Sequence, residues 1–407
     1  MVPSIVRATG WSGALRRTPP WAMAFFLATA LPAADRGSSA AEKSCASATP
    51  QIHSIAATSL HAARLAAMDE ALANHRLLYN TGGWGRLADG PVLRLGSEGS
   101  RVVDLRRRLE RSGDHVRDSG SPAHFDVIVD SAVRRFQRRH GLDVDGIVGP
   151  ATKRALNVPV ETRVRQLEAA REAWEALPPD LGTRSVVVNI PAFEVEALEA
   201  ERSVLRLRAV VGRTDRPTTA FSSQINAVAL RPYWNVPPGI TRLDVLPAIR
   251  RDPAYLARNR MRVFDRASGR ELNSADLDWD HVNLAAILIR QEPGGGNPMG
   301  QVKITFPNDH HVFIHDTPDR HLFDRTRRAF SSACIRVERA LDLTDWILAR
   351  NEGWDRARID EAVTEGRERW VTVRDTVPIH LVYLTAWVDA EGVTQFRHDL
   401  YGRYGFP

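Results

Sequence analysis

The stretch RSVVVNIPAFEVEALEAERSVLRLRAVV, residues 184–211, decides the fold. Ser185–Ile190, Phe193–Leu198 and Val204–Val211 are short aliphatic runs separated by turn-forming residues, the pattern of strands. In the third run Leu205, Leu207 and Ala209 alternate with Arg206 and Arg208, so one face of that strand is wet. Further strands are predicted at Ile225–Leu230, Val302–Phe306, His311–His315 and Pro378–Trp387. Residues 183–407 therefore read as a mainly β unit. A mixed insertion lies between Trp234 and Gly300, with a helical piece near Leu243–Leu256. Its Gly294-Gly295-Gly296 run lacks the Lys-Ser/Thr of a phosphate loop and reads as a flexible edge. Ala340, Leu341, Leu343, Ile347 and Leu348 predict a helix over Val337–Ala349, docked against the strands.

Upstream the period changes to 3.6. Gln51–Leu78 carries Ala62, Leu65, Ala66, Met68 and Leu72 at helical spacing and closes at Gly82-Gly83. Val164–Leu177 carries Leu167, Ala170 and Trp174 on one side and stops at Pro178-Pro179. These segments, within 51–91 and 159–182, are expected to pack together as a helical scaffold. They flank a compact unit over 92–158. There Val102, Leu105 and Leu109 form one stripe, Val133, Phe136 and Gln137 a second helix, and Thr152, Ala155 and Leu156 a third. Asp126 and Asp130 read as capping or solvating the second helix, with calcium ligation the alternative. The fold class is α+β and multidomain: a mainly β domain with docked helices, a helical scaffold and a small three-helix module.

A chain of 407 residues has room for two or three folded units, and 43% hydrophobic with 26% charged residues is ordinary globular composition. The net charge of +6 is carried almost wholly by arginine, Lys43, Lys153 and Lys303 being the lysines. Such a bias follows as readily from genome composition as from a binding surface, so no nucleic-acid partner is expected. Arg7, Arg16 and Arg17 precede an apolar run, Trp21–Leu31, and then Pro32-Ala33-Ala34. This is the pattern of a secretory signal over 1–34, cleaved or kept as an N-terminal membrane anchor, with 35–50 as linker. The apolar run is shorter than the roughly 20 residues of a spanning helix.

Two cysteines, Cys45 and Cys334, leave two readings: a disulfide, or a lone reactive thiol at Cys334 with Cys45 in the leader. HVFIHDTP (311–318) and FSSACIRV (330–337) favour the thiol. A free thiol has a pKa of about 8.5. A nearby His315 and a helix beginning just after Cys334 would both favour the thiolate. The N–H groups of the Ser332-Ala333-Cys334 turn are candidate oxyanion donors. His310, His311, His315 and His321 raise the question of a metal. However, neighbouring strand residues face opposite sides, and no carboxylate stands at HExxH spacing. Asp316, at a strand end, is expected to face solvent or the adjacent turn.

The phrase AVRRFQRRHGLDVDGIVGPATKRAL (132–156) resembles the peptidoglycan-binding domain 1 family, which implies that 92–158 binds cell-wall glycan-peptide. At FIHDTP and FSSACIRV the chain resembles the L,D-transpeptidase (YkuD) family, whose signature is a His, a short loop and Ser/Thr-X-Gly-Cys. With RPYWNVPPGI (231–240), GNPMGQVKITFPN (296–308) and YLTAWVDAEGVTQFRHDLYG (383–402), it looks most like the larger, YcbB-like periplasmic members. The resemblance implies Cys334 as nucleophile and His315 as general base, its imidazole oriented by the Asp316 carbonyl. It also implies Ser332 and Ala333 in the oxyanion turn, and Arg336 as a structural or substrate-side residue. Tyr233 and Trp234 would lead into a capping insertion at about 238–296. The implied reaction joins two peptidoglycan stem peptides, acyl donor and acceptor, by a 3→3 cross-link through a thioester, in the periplasm, without metal or organic cofactor. Carbapenems are the implied inhibitors. Transfer to water (an L,D-carboxypeptidase), lipoprotein attachment, a catalytically silent wall-binding protein and a zinc amidase sharing the module stand as alternatives. Ala333 replaces the family's glycine, and if the turn needs a positive φ its Cβ costs about 1 kcal/mol or more.

Overall fold

The computed structural model describes residues 59–114 and 121–406. The expected signal or anchor, the linker, Cys45 and the first residues of the helix predicted from Gln51 lie outside them. The first described element, α1 (Leu60–Asn80), starts where the Ser59 hydroxyl accepts the Ala62 N–H at 3.2 Å. Its buried side is His61, Met68, Ala71 and Leu72. Ala62 and Ala66, read from spacing as part of that side, are exposed. Small apolar residues sit on either face of a helix at little cost, so the large Met68 and Leu72 set its rotation.

Three helices follow: α2 (Ser100–Arg111), α3 (Val127–Arg139) and α4 (Pro150–Leu156). Val102, Leu105, Leu109, Val133, Phe136 and Leu156 form their core together with Phe125 and Val129. Asp126 caps α3 by accepting the N–H groups of Ile128 and Val129, while Asp130 pairs with Arg134. Gln137 is fully buried and organises the loop from Gly141 to Pro150. Its Oε1 accepts the Gly146 N–H at 2.9 Å, and its Nε2 donates to Asp145 Oδ1 at 2.7 Å and to the Ile147 carbonyl at 3.0 Å. α5 (Val160–Glu175) then returns antiparallel to α1. The two helices are tied by the Trp174 indole donating to the His61 carbonyl and by Arg171–Asp69 and Arg76–Glu168. Leu167, Ala170 and Trp174 bury against Val187, Leu198, Leu384 and Phe396 of the β domain.

That domain opens with β1 (Arg184–Asn189), β2 (Glu194–Glu199), β3 (Arg202–Gly212) and β4 (Phe221–Leu230). The insertion is a subdomain with its own core of Val236, Val245, Ile249, Leu256, Val263 and Ile289. It holds β5 (Trp234–Asn235), α6 (Pro238–Ile240), a π-helical turn over Thr241–Val245, α7 (Leu246–Arg251) and α8 (Tyr255–Arg258). β6 (Met261–Asp265), β7 (Glu271–Leu272) and β8 (Ile287–Gln291) complete it, with strand order β5-β8-β6-β7. The main sheet resumes with β9 (Val302–Thr305), β10 (Ile314–His315), β11 (Ala329–Ser331) and β12 (Ile335–Val337). Two helices, α9 (Ala340–Leu348) and α10 (Arg356–Thr364), lead into β13 (Arg369–Val382), then β14 (Ala386–Val388) and β15 (Thr394–Phe396).

The strand order is β11-β3-β12-β10-β9-β4-β13-β1-β2, and β2 also pairs with β3, so the ladder closes on itself. Closure removes free edges and fixes the register of the short strands inside it. The single strand predicted over Pro378–Trp387 is the end of β13 and the start of β14. The chain leaves the first sheet where the Leu384 N–H donates to Asn189 Oδ1. The helix predicted from Val337 begins at Ala340, because Ile335–Val337 is taken up as strand and Arg339 turns the chain at φ +50°.

Replacing Gln137 by the similarly sized methionine strands the buried Gly146 N–H, while Asp145 keeps the Ile147 N–H and the Ile147 carbonyl keeps the Thr152 hydroxyl. Each unpaired buried group costs about 1–3 kcal/mol. Chemical denaturation of Gln137→Met is expected to show a loss of about 1–3 kcal/mol from the unfolding of this module, with the β domain's own transition unmoved.

Candidate active site

Two strand pairings build the site. Across the parallel pair β10–β12, Ile314 lies opposite Ile335 and His315 opposite Arg336. Across the antiparallel pair β10–β9, Ile314 lies opposite Ile304 and His315 opposite Lys303. Paired residues point to one side and successive residues alternate. Ile304, Ile314 and Ile335 are accordingly fully buried in the core with Leu343 and Ile347 of α9. Lys303, Phe313, His315, Cys334 and Arg336 share the opposite face and line a cavity of about 580 Å³. Tyr233 and Trp234 line the same cavity from the start of the insertion.

His315 is buried, and its Nδ1 lies 2.6 Å from the Asp316 carbonyl oxygen. A carbonyl only accepts, so Nδ1 carries the hydrogen and Nε2 keeps its lone pair. The imidazole is pushed down to about 3, first by desolvation, then by Arg336 and Lys303, against the raising effect of the Asp316 and Pro298 carbonyls. It is neutral at any physiological pH. Cys334 is half-buried, and its Sγ lies 3.6 Å from the His311 carbonyl. Burial pushes its thiol up, opposed by the Phe313 N–H, Lys303 and Arg336. The expectation that the neighbourhood favours a resting thiolate is therefore reversed. The helix invoked for it is absent from that position: β12 follows Cys334, and α9 starts six residues on.

The turn before Cys334 is held from both ends. Ala333 has φ +71°, the left-handed region where a Cβ costs about 1–2 kcal/mol. Its N–H donates to the Arg216 carbonyl at 3.2 Å, and its carbonyl accepts the Thr218 hydroxyl at 2.7 Å. Arg216 Nη1 also reaches Ser332 Oγ at 2.9 Å and pairs with Asp244 of the insertion. Because the Ala333 N–H is engaged, it is not an oxyanion donor. Among the described residues the N–H groups of Ser332 and Cys334 have no protein acceptor and remain available. Gly212, Arg216 and Thr218, which build this cradle, carry no motif that sequence reading could use.

Asp316 is buried rather than solvent-facing. Its Oδ2 accepts the Gln301 N–H at 2.9 Å, and Arg320 pairs with it at 2.6 Å. It does not line the cavity and acts on the site only through its carbonyl. A Cβ at Gly300, where φ is +61°, would collide with this carboxylate. Arg336 lines the cavity and is held by Asp319 at 2.9 Å. The Tyr233 N–H donates to Glu368 and its ring lies under Arg290. His310 packs on Phe221, and among the described residues no group of three His, Cys, Asp or Glu is placed to hold a metal ion. The functional residue that sequence reading missed is Lys303. Its signal is compositional, as the single lysine of residues 183–407 in an arginine-rich chain.

Residues 183–379 match the family described as L,D-transpeptidase catalytic domain, and residues 98–156 the one described as "Putative peptidoglycan binding domain". A curated relative from Haemophilus influenzae, "Putative L,D-transpeptidase", is 29% identical over 53% of this chain and 44% of its own length. The chain thus spans less than half of that relative. An N-acetylmuramoyl-L-alanine amidase from Mycobacterium tuberculosis is 42% identical over 17% of this chain and 20% of its own. Among solved structures, an L,D-transpeptidase from Xylanimonas cellulosilytica covers 72% of this chain and 98% of its own at 15% identity and a TM-score of 0.23. L,D-transpeptidase 3 from Mycobacterium tuberculosis, in complex with a faropenem-derived adduct, covers 49% and 60% at 11% identity and a TM-score of 0.24. These superpositions carry no argument, and what the chain shares with L,D-transpeptidases rests on the match of its residues 183–379 to the catalytic-domain family.

The uncharged resting pair has a measurable signature. Alkylation of Cys334 by iodoacetamide is expected to rise with pH with a midpoint above the ordinary cysteine value, with no inflection between pH 5 and 7. A plateau of full reactivity at pH 7 would show a preformed thiolate and overturn this reading of the burial.

Proposed function

We propose that this chain, which carries an L,D-transpeptidase catalytic domain over residues 183–379 and a peptidoglycan-binding domain over 98–156, forms 3→3 cross-links between peptidoglycan stem peptides through a Cys334 thioester. The observation that carries the reading is the shared face of β10 and β12. It puts an oriented, neutral His315 and the Cys334 thiol on the walls of one cavity. As sulfur attacks the carbonyl of the third stem residue, His315 Nε2 takes the thiol proton. The oxyanion accepts hydrogen bonds from the Cys334 and Ser332 N–H groups. Collapse of the adduct breaks the peptide bond, and the amine of the departing terminal D-alanine takes the proton from His315. The side-chain amine of a second stem's diamino acid then attacks the thioester. His315 receives its proton and returns it to the leaving sulfur.

The arginines and apolar run of residues 1–34 support export to the periplasm, and the module supports retention at the wall. The test is incubation of the purified protein with disaccharide-tetrapeptides and mass analysis of the products. Cross-linked dimers are expected. Monomers shortened by one residue identify an L,D-carboxypeptidase, and unchanged substrate a silent wall-binding protein. Cys334→Ala and His315→Ala are each expected to lower the rate at least about 10³-fold while remaining folded. Near-normal turnover in either would sink the assignment.

An attacking sulfur beside a proton acceptor and free N–H donors should also open a β-lactam. Intact-protein mass is expected to rise by one carbapenem, with the adduct on the peptide containing Ser331–Arg336. An adduct on Cys45 alone, or none on folded protein, would count against an activated Cys334.

A further inference from the structure

The cations around the cavity are not equivalent. Arg213 pairs with Asp215 at 2.8 Å, Arg216 with Asp244, and Arg336 with Asp319 at 2.9 Å. Each of these positive charges is balanced within the protein. Lys303 differs. Its ammonium sits 3.7 Å from the centroid of the Phe313 ring, and among the described residues it makes no hydrogen bond or ion pair, the carboxylate of Glu368 acting on it only at longer range. Phe313 lines the cavity too, so the ring carries the ammonium at the cavity surface. The charge is also close to the chemistry. Lys303 lies opposite His315 across β9–β10, and Cys334 flanks β12 on the other side of β10, on the same face. A half-buried ammonium with three unused donors next to an acyl-transfer centre is a receptor for an anion.

On the proposed function, one anion is obligatory at that spot. The donor's departing residue is C-terminal, so its carboxylate is joined to the amine of the scissile bond through one Cα. It therefore lies on the order of 4 Å from the carbonyl under attack. We infer that Lys303 binds the free terminal carboxylate of the donor stem, and so restricts the site to peptide ends, with one residue beyond the scissile bond. The inference rests on the reading of Cys334 as nucleophile and deepens it: the substrate is chosen by the position of its chain end. A longer stem places an uncharged amide where Lys303 presents its charge and carries its carboxylate past it. The other carboxylates of the stem belong to residues before the scissile bond and leave this contact untouched. The π face of Phe313 holds the ammonium in place when no carboxylate is bound.

The test compares a tetrapeptide donor bearing a free terminal carboxylate with the same donor as its terminal amide. The wild type is expected to favour the acid in kcat/KM by at least about tenfold, the scale of a hydrogen bond to a charged group. Lys303→Met should turn over the two at equal rates, and Lys303→Arg should keep the preference. An unchanged preference in Lys303→Met, or equal turnover of acid and amide by the wild type, would overturn the inference. So would a uniform fall for both donors, which would mean that Lys303 acts on the thiol instead. Calorimetric binding of acid and amide to Cys334→Ala, with and without Lys303→Met, reads the same discrimination without chemistry. If the wild type processes neither donor while Cys334→Ala binds the acid selectively, the transpeptidase reading fails and the carboxylate site stands. If it binds both alike, the carboxylate site fails too.

Discussion

The pairing of β10 with β12 is the constraint on which the rest depends. It is only two residue pairs long, yet it divides neighbouring residues between core and chemistry. Ile314 and Ile335 go under α9, while His315 and Cys334 go into the cavity. A slip of one residue would bury Cys334 and expose Ile335, because the side-chain period of a strand is two. Such short strands cannot hold a register alone. They hold it because β9 flanks β10, β3 flanks β12, and the ladder closes between β2 and β3. The long insertion and the N-terminal helices add to this frame without interrupting it.

Charge in the cavity follows from that placement. His315 is buried with Arg336 and Lys303 on the same face, so a positive imidazole would be desolvated and repelled at once. Burial and these charges favour the neutral imidazole and the thiol over an imidazolium–thiolate pair. On the proposed mechanism, proton transfer from Cys334 accompanies attack, when the negative charge passes to an oxyanion that the turn's N–H groups can receive. The low basicity of His315 suits the second half of each step, since a weakly basic imidazole releases its proton readily to a departing amine or sulfur. The Asp316 carbonyl keeps the correct nitrogen protonated throughout, and Gln301 and Arg320 keep Asp316 in place.

The architecture was legible wherever periodicity was strong. Leu205, Leu207 and Ala209 against Arg206 and Arg208 announced a half-wet strand, and Val102, Leu105 and Leu109 a helix of the module. The motifs around His315 and Cys334 pointed to two residues that the structure places on one face of the sheet, lining one cavity. Three things were hidden. Strands as short as Ile314–His315 and Ile335–Val337 carry no period of their own, so the latter was read as the start of a helix. The cradle of the catalytic turn comes from residues over a hundred positions upstream, whose role exists only after the sheet closes. The titration of Cys334 and His315 depends on burial, which no motif records. Lys303 was visible as a rare residue but gained a meaning only from its register with His315 and the absence of a partner.

Ala333 depends on the same closed sheet. An alanine at φ +71° is strained by about 1–2 kcal/mol, and left alone the turn would relax toward a negative φ. It is held because its N–H and carbonyl are both bonded, to Arg216 and Thr218, in a loop whose tightness depends on Gly212. Any side chain at 212 would run into the Arg216 carbonyl and the Thr218 N–H. Tyr401, near the end of the chain, braces the same loop by donating to the Gly212 carbonyl at 2.8 Å. Arg216 then reaches outward to Asp244 of the insertion. The backbone that presents Cys334, the proposed nucleophile, and the subdomain that lines the cavity are thus joined through one arginine. A glycine at 333 would need less of this support. The alanine is compatible with the site because the loop 212–218 imposes its conformation from outside, which is why the substitution leaves the turn formed.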